Sequence, residues 1–166
     1  MQQLNIFPAP IPFPELPLQY RLSKEIDLPF IMSSWLKSAR NNHTNEFIPN
    51  EVYYAEYKQI VANTLKNSQV FIAHLDDEPD TIIAYMVYQY INHGKEVAIH
   101  WAYTKGDGDL YRRKGIQSAI LKLITGAFIE TPPIIFTAFP RKEEMFKHLK
   151  REYTVIFDPF FNTKAI

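Results

Sequence analysis

The chain has 166 residues, 46% hydrophobic and 22% charged, the balance of a globular domain long enough to bury a substantial core. Lysine plus arginine equals aspartate plus glutamate at 18 each, and this zero net charge argues against a sequence-independent grip on nucleic acid. Cysteine is absent, which excludes disulfides, thiolate metal sites and a cysteine nucleophile; no metal is expected, and the cytoplasm is the expected compartment.

In chain order, Met1–Asn5 carries no basic region and prolines follow, so no secretory signal is expected. No apolar run approaches the roughly 20 residues of a membrane span. The stretch from Phe7 to Pro17 holds five of the twelve prolines and reads as extended and polyproline-like. Residues 1–18 are therefore a proline-rich arm. It is packed on the domain through Phe7, Ile11 and Phe13, or else is a partner-binding or dimer-clasping element. Residues 19–166 form one domain.

Gln19–Leu22 reads as a first strand. A helix over Pro29–Ala39 follows, with Asp27 as its cap, and then a second over Glu51–Lys66, with Asn50 as its cap. Three β runs come next, Val70–Leu75, Thr81–Ile91 and Glu96–Thr104, separated by the turn clusters 76–80 and 92–95. Short turns between such runs predict an antiparallel meander. An amphipathic helix over Gly115–Ile129 packs on the sheet. A strand Ile134–Phe139, a charged helix Arg141–Arg151 and a strand Tyr153–Phe157 complete a mixed α/β (α+β) domain.

Between the third β run and the amphipathic helix lies a loop ending Tyr111-Arg112-Arg113-Lys114-Gly115. A glycine turn that opens a helix presents backbone N–H groups at the positive end of its dipole, and three cations beside it suit a pyrophosphate. Arg112-x-x-Gly115-x-Gln117, followed by Ser118-Ala119-Ile120-Leu121, resembles the acetyl-CoA motif [QR]-x-x-G-x-[GA] of the GNAT N-acetyltransferases. The element order after Gln19 resembles that family too. The resemblance implies a central, mostly antiparallel sheet flanked by helices, and transfer of an acetyl or other short acyl group from acyl-CoA to an amine-bearing acceptor, a small molecule or a polypeptide. It also implies that Arg112, Arg113, Lys114, Gly115, Ile116, Gln117 and Ser118 cradle the pyrophosphate. The backbone of Ala102, Tyr103 and Thr104 would run beside the pantetheine, one amide polarising the thioester carbonyl. Gln117 departs from the family's small final residue, so a less close backbone approach is expected. Gly106–Asp109 lengthens the connection, and little chain remains after Phe157 for a full final strand. The rival readings are a non-catalytic acyl-CoA-binding or interaction module with the same fold, and acylation of a protein or a modified nucleic acid.

Amine acylation needs a base for the amine and a donor for the leaving thiolate. His100 and Glu96 lie on the strand that leads to the thioester, and simple alternation puts both on one face with Ala102 and Thr104. His100 is preferred because it is nearer and titrates in the useful range. His148, near the family's usual tyrosine position, and Tyr153 are the candidate acids, with Tyr103 a further one. Trp35, Tyr53, Tyr54, Tyr57, Tyr85 and Tyr88 are expected to line the acceptor pocket.

Overall fold

The structure, a computed structural model, describes residues 17–40, 48–106, 110–111, 114–126, 128, 134–136 and 153–155. The elements are β1 (Leu18–Leu22), a 3-10 turn (Glu25–Asp27), α1 (Leu28–Arg40), α2 (Asn50–Lys66), β2 (Gln69–Leu75), β3 (Glu78–Ile91), β4 (Glu96–Thr104), α3 (Ile116–Thr125), β5 (Ile134–Phe136) and β6 (Tyr153–Val155). The arm up to residue 16, the expected helix Arg141–Arg151 and the tail from residue 156 lie outside the described residues. No described helix is long and apolar enough to cross a membrane.

The strands form one sheet in the order β1-β2-β3-β4-β5-β6. The pairs from β1 to β4 are antiparallel, and the short turns between β2, β3 and β4 require this of those two pairs. The β4–β5 and β5–β6 pairs are parallel. A parallel neighbour needs a crossover, and α3 supplies the one between β4 and β5.

Each face of the sheet has its own core. On one side, Ile116, Ile120, Leu121 and Ile124 of α3 pack on Ile83, Ala84, Met86, Tyr88, Val97 and Ile99. On the other, Ile31, Trp35, Leu36 and Ala39 of α1 and Tyr53, Tyr57 and Val61 of α2 pack on Val70, Ile72, Ile82, Tyr85, Val87 and Trp101. At 10 residues, α3 is shorter than the roughly 12–15 at which isolated helices become even marginal. Its buried branched side chains, each contributing about 1.5–3 kcal/mol, hold it in place.

Several boundaries differ from the sequence expectation, for local reasons. Asn50 is not the cap of α2. Pro49 precedes the helix with φ −58°, and its carbonyl accepts the Tyr53 N–H at 2.9 Å. Asp27 does not cap α1 directly; it closes the preceding 3-10 turn, its carboxylate accepting the Lys24 N–H at 2.7 Å. The same carboxylate takes two bonds from Arg21 on β1, at 2.7 and 3.1 Å. Burial pushes the Asp27 carboxyl up, but the Arg21 bonds, the Lys24 amide and the nearby positive charge outweigh it and hold it below the usual carboxylate range.

β3 starts at Glu78, so Pro79 lies inside a strand. It does so where β3 runs past the end of β4 and its pairing with β2 is irregular, so its missing N–H breaks no regular ladder bond. α3 ends at Thr125 rather than Ile129. Gly126, a poor helix former, donates to Leu123 and Phe128 to Thr125, an i→i+3 tightening that closes the helix.

Candidate functional site

β4 and α3 converge at residues 102–104 and 114–118. Gly115 stands immediately before α3 with φ 78° and ψ 13°, a left-handed conformation that side chains strain to adopt. Its carbonyl accepts the first helical bond, from Ala119 at 2.9 Å. Among the described residues, a Cβ built on Gly115 would meet no atom within 4 Å. No acidic residue occupies the first turn of α3, so nothing in that turn competes for an anion at its positive end. Tyr111, 8% exposed, anchors the loop in the α3-side core, whereas Leu110 is 53% exposed. Lys114 is half-buried beside Gly115. Arg112 and Arg113 lie outside the described residues.

The ladder phase decides which way the peptide groups of β4 point. The Lys105 N–H donates to the Ile83 carbonyl at 2.8 Å, and Tyr85 is paired with Tyr103. Bonded pairs alternate with unbonded ones, so the 83–105 and 85–103 pairs exchange bonds. The N–H and C=O of Ala102 and Thr104 therefore point away from β3. On that side the described pairing of β4 with β5 covers only Val97–Ile99. Among the described residues nothing pairs with Ala102–Thr104 on that edge, which with the start of α3 forms a notch.

A β-bulge lies at the mouth of this notch. Val87 pairs with Trp101 and Tyr88 with Ile99, so His100 is the extra residue. Val97 and Ile99 face α3, Trp101 and Tyr103 face α1 and α2, and Ala102 returns to the α3 side. Simple alternation thus fails at His100, which does not share a face with Ala102 and Thr104. Its Nε2 lies 3.2 Å from the amide oxygen of Gln89, on the α1–α2 side. That partner selects the tautomer with hydrogen on Nε2 and leaves Nδ1 as the basic nitrogen. Burial lowers the His100 pKa below the usual 6.5.

Glu96 is not brought to the notch. It sits at the opposite end of β4, accepting from Asn92 Nδ2 at 3.3 Å across the hairpin turn, about 20 Å from Ala102 at strand rise. The backbone of Tyr153 aligns with Ile134, which aligns with Val97, five positions before Ala102. His148 lies outside the described residues.

Gln117 is the side chain that sequence reasoning undervalued. Instead of crowding the space at Gly115, it lies back along the sheet. Its Nε2 is 2.6 Å from the Tyr103 carbonyl, 3.0 Å from Thr104 Oγ1 and 3.3 Å from the Tyr85 carbonyl. Two carbonyls facing one end of the amide fix which end is nitrogen. The other end, Oε1, is buried with no hydrogen-bond partner. A long polar residue at a position expected to be small was the available signal.

The expected acceptor lining is mostly core. Trp35, Tyr53, Tyr57, Tyr85 and Tyr88 are at most 3% exposed; only Tyr54, at 40%, reaches the surface. Their hydroxyls help to explain why: Tyr53 donates to Leu36 O at 2.9 Å between the two helices, and Tyr85 to Ile31 O at 3.0 Å between sheet and helix. Tyr54 lines a cleft of about 510 Å³ between α1 and α2 with Met32, Leu36, Lys37 and Lys58. Nearer the notch, Tyr103 stacks on Tyr85 at 5.1 Å and meets the exposed Phe30 edge-on at 5.9 Å.

No protein-family model matches this sequence, and no curated protein does. Solved structures do. A possible acetyltransferase from Clostridium difficile 630 aligns with a TM-score of 0.56 at 14% identity, over 81% of this chain and 90% of its own. A structure from Corynebacterium glutamicum ATCC 13032, described as histone acetyltransferase HPA2 and related acetyltransferase, gives 0.57 at 13%, over 81% and 84%. The ribosomal-protein-alanine N-acetyltransferase of Brucella melitensis biovar Abortus 2308 gives 0.52 at 14%, over 78% and 86%. At such identities the likeness is one of architecture. With its antiparallel meander and its parallel crossover through α3, the chain has the GNAT acetyltransferase fold.

Proposed function

We propose that the chain transfers an acetyl or other short acyl group from acyl-CoA to an amine. The observation that carries this reading is the notch: outward peptide groups of Ala102 and Thr104 beside a helix opened by a left-handed glycine that no described residue crowds. The residues present suit such a ligand. The start of α3, with Arg112, Arg113 and Lys114, would hold the pyrophosphate through N–H groups and charge. The edge of β4 offers alternating donors and acceptors to the amides of a pantetheine.

Bound there, acyl-CoA supplies an activated thioester. The chain's own part is to align that group along β4, to donate from an outward β4 amide to its carbonyl oxygen, and to take the amine's proton. His100 is the base this reading favours, about two residues or 6–7 Å along the strand from Ala102. The acceptor is an amine-bearing small molecule or polypeptide, approaching from the Phe30–Tyr103 side.

A binding module without turnover is the second reading, favoured by one observation: the backbone of Tyr153, a candidate acid, is in register with Val97 rather than with Ala102–Thr104. Calorimetry and thermal scans with CoA, followed by labelled-acetyl transfer to a panel of amines and peptides, separate the two. Ligand at a hundredfold excess over its dissociation constant stabilises the native state by about 2.7 kcal/mol. Gly115→Glu fills the open space and should remove that shift with the far-UV spectrum intact. No shift for the unaltered chain at millimolar CoA overturns both readings; a shift without transfer to any amine leaves the module.

A further inference from the structure

We infer that the cleft between α1 and α2 binds a free carboxylate with an apolar body, the chemistry of a medium-chain fatty acid, and that Lys37 and Lys58 hold its charge. The inference rests on these two helices alone and does not depend on the acyl-CoA reading. Ile31 and Trp35 of α1 and Tyr53 and Tyr57 of α2 are committed to the core under the helices. Met32, Ser33, Leu36 and Lys37 recur at three- and four-residue spacing on a second flank of α1, and Tyr54 and Lys58 do so on α2. Together they bound the cleft of about 510 Å³, within the range of small-molecule sites. Leu36 is buried and Met32 half-buried, whereas Ser33, Lys37, Tyr54 and Lys58 are exposed. The cleft thus has an apolar floor and a polar rim.

The charge on that rim has one sign. α1 contains no acidic residue, and among the described residues no carboxylate lines the cleft. The acid on that flank of α2, Glu51, stands one turn before Tyr54 and outside the lining. Among the described residues neither Lys37 nor Lys58 forms an ion pair. The helices run antiparallel, since Arg40, at the end of α1, lies over the Tyr53 ring and Tyr53 donates to Leu36 O. Lys37 therefore stands level with Tyr53 and Tyr54, and Lys58 lies four residues, about 6 Å, further along α2. A carboxylate in the cleft meets positive charge from both helices, while its apolar body rests on Met32, Leu36 and the lysine stems. The residues from Met32 and from Tyr54 onward lie past the first four positions of their helices, so their N–H groups are spent on helical bonds. The site offers charge and the Ser33 and Tyr54 hydroxyls, but no cradle of backbone donors. That suits a carboxylate better than a phosphate.

The test is a titration followed in the amide NMR spectrum, with octanoate, octan-1-ol and octylammonium at millimolar concentration. Octanoate should shift the amides of Met32, Ser33, Leu36, Tyr54 and Lys58 together, and should bind about tenfold more tightly than octylammonium. Lys37→Met and Lys58→Met, both at exposed positions, should each weaken octanoate about three- to tenfold and leave octan-1-ol unchanged. Ser33→Tyr, which fills the cleft, should remove binding of both. Equal affinity for octanoate and octylammonium would make the cleft an apolar patch blind to charge and overturn the inference. So would octanoate binding that neither lysine variant weakens, or a loss that octan-1-ol shares equally. Shifts centred elsewhere, or none at millimolar octanoate, would overturn it as well.

Discussion

Burial holds the His100 pKa below 6.5, so at neutral pH its ring is an uncharged imidazole. The sign for stability follows. The unfolded chain takes up this proton first, so the residue's contribution is whole above about 6.5 and is lost as the pH falls through the folded value. The sign for turnover is the same, because a protonated ring cannot accept the amine's proton. His100→Ala should lower turnover by about 10²–10⁴-fold and flatten the acidic limb of the rate profile, with CoA affinity unchanged. Glu96→Gln should do little, since that carboxylate lies at the far hairpin. A larger loss in Glu96→Gln than in His100→Ala would move the base to the carboxylate. His100 was legible in the sequence as a histidine on the right strand. Its orientation was not, because no residue type in Ile99-His100-Trp101 demands a bulge; the insertion emerges only from how two whole strands pair.

At the scale of elements, the junction of β1 with α1 rests on one ion pair. Asp27, 4% exposed, receives both Arg21 nitrogens and the Lys24 amide, so one carboxylate ties a strand, a turn and the start of a helix. Asp27→Ala should cost about 1.5–3 kcal/mol by urea denaturation, the range for hydrogen bonds to a charged group, without altering CoA affinity. Because folding lowers the Asp27 pKa, its contribution is present above the usual 3.8 and is lost as the pH falls through the folded value. The gap between variant and unaltered chain should therefore close in acid. A gap that stays constant from pH 7 to pH 2 would mean the carboxylate's charge plays no part. The bounds of β4, Glu96–Thr104, were readable directly, because alternation and flanking turns agree there. The bounds of β3 were not, because Glu78-Pro79-Asp80 looks like a turn and becomes strand only where no ladder bond is asked of the proline.

At the scale of the whole molecule, the order of elements was enough to place Gly115 at the junction of a strand and a helix, and the geometry there agrees with that reading. What the order did not carry was which aromatic residues face outward. Tyr53, Tyr57, Tyr85 and Tyr88 share a composition suited to a pocket and also suited to a core, and only the two-sided packing of the sheet decides between them. Tyr85 illustrates the outcome: it is wholly buried, and burial pushes its hydroxyl well above the usual tyrosine range, so it remains neutral and structural.

The ladder phase leaves β4 carrying two kinds of amide hydrogen. Those of Tyr103 and Lys105 are tied to β3; those of Ala102 and Thr104 point into the notch. Deuterium uptake in the free protein should alternate along these four residues, fast at 102 and 104 and slow at 103 and 105, by several orders of magnitude where the slow pair awaits opening of the sheet. A bound pantetheine would erase the alternation by lending β4 the neighbour it lacks, and the exchange record would then read as though the sheet had gained a strand.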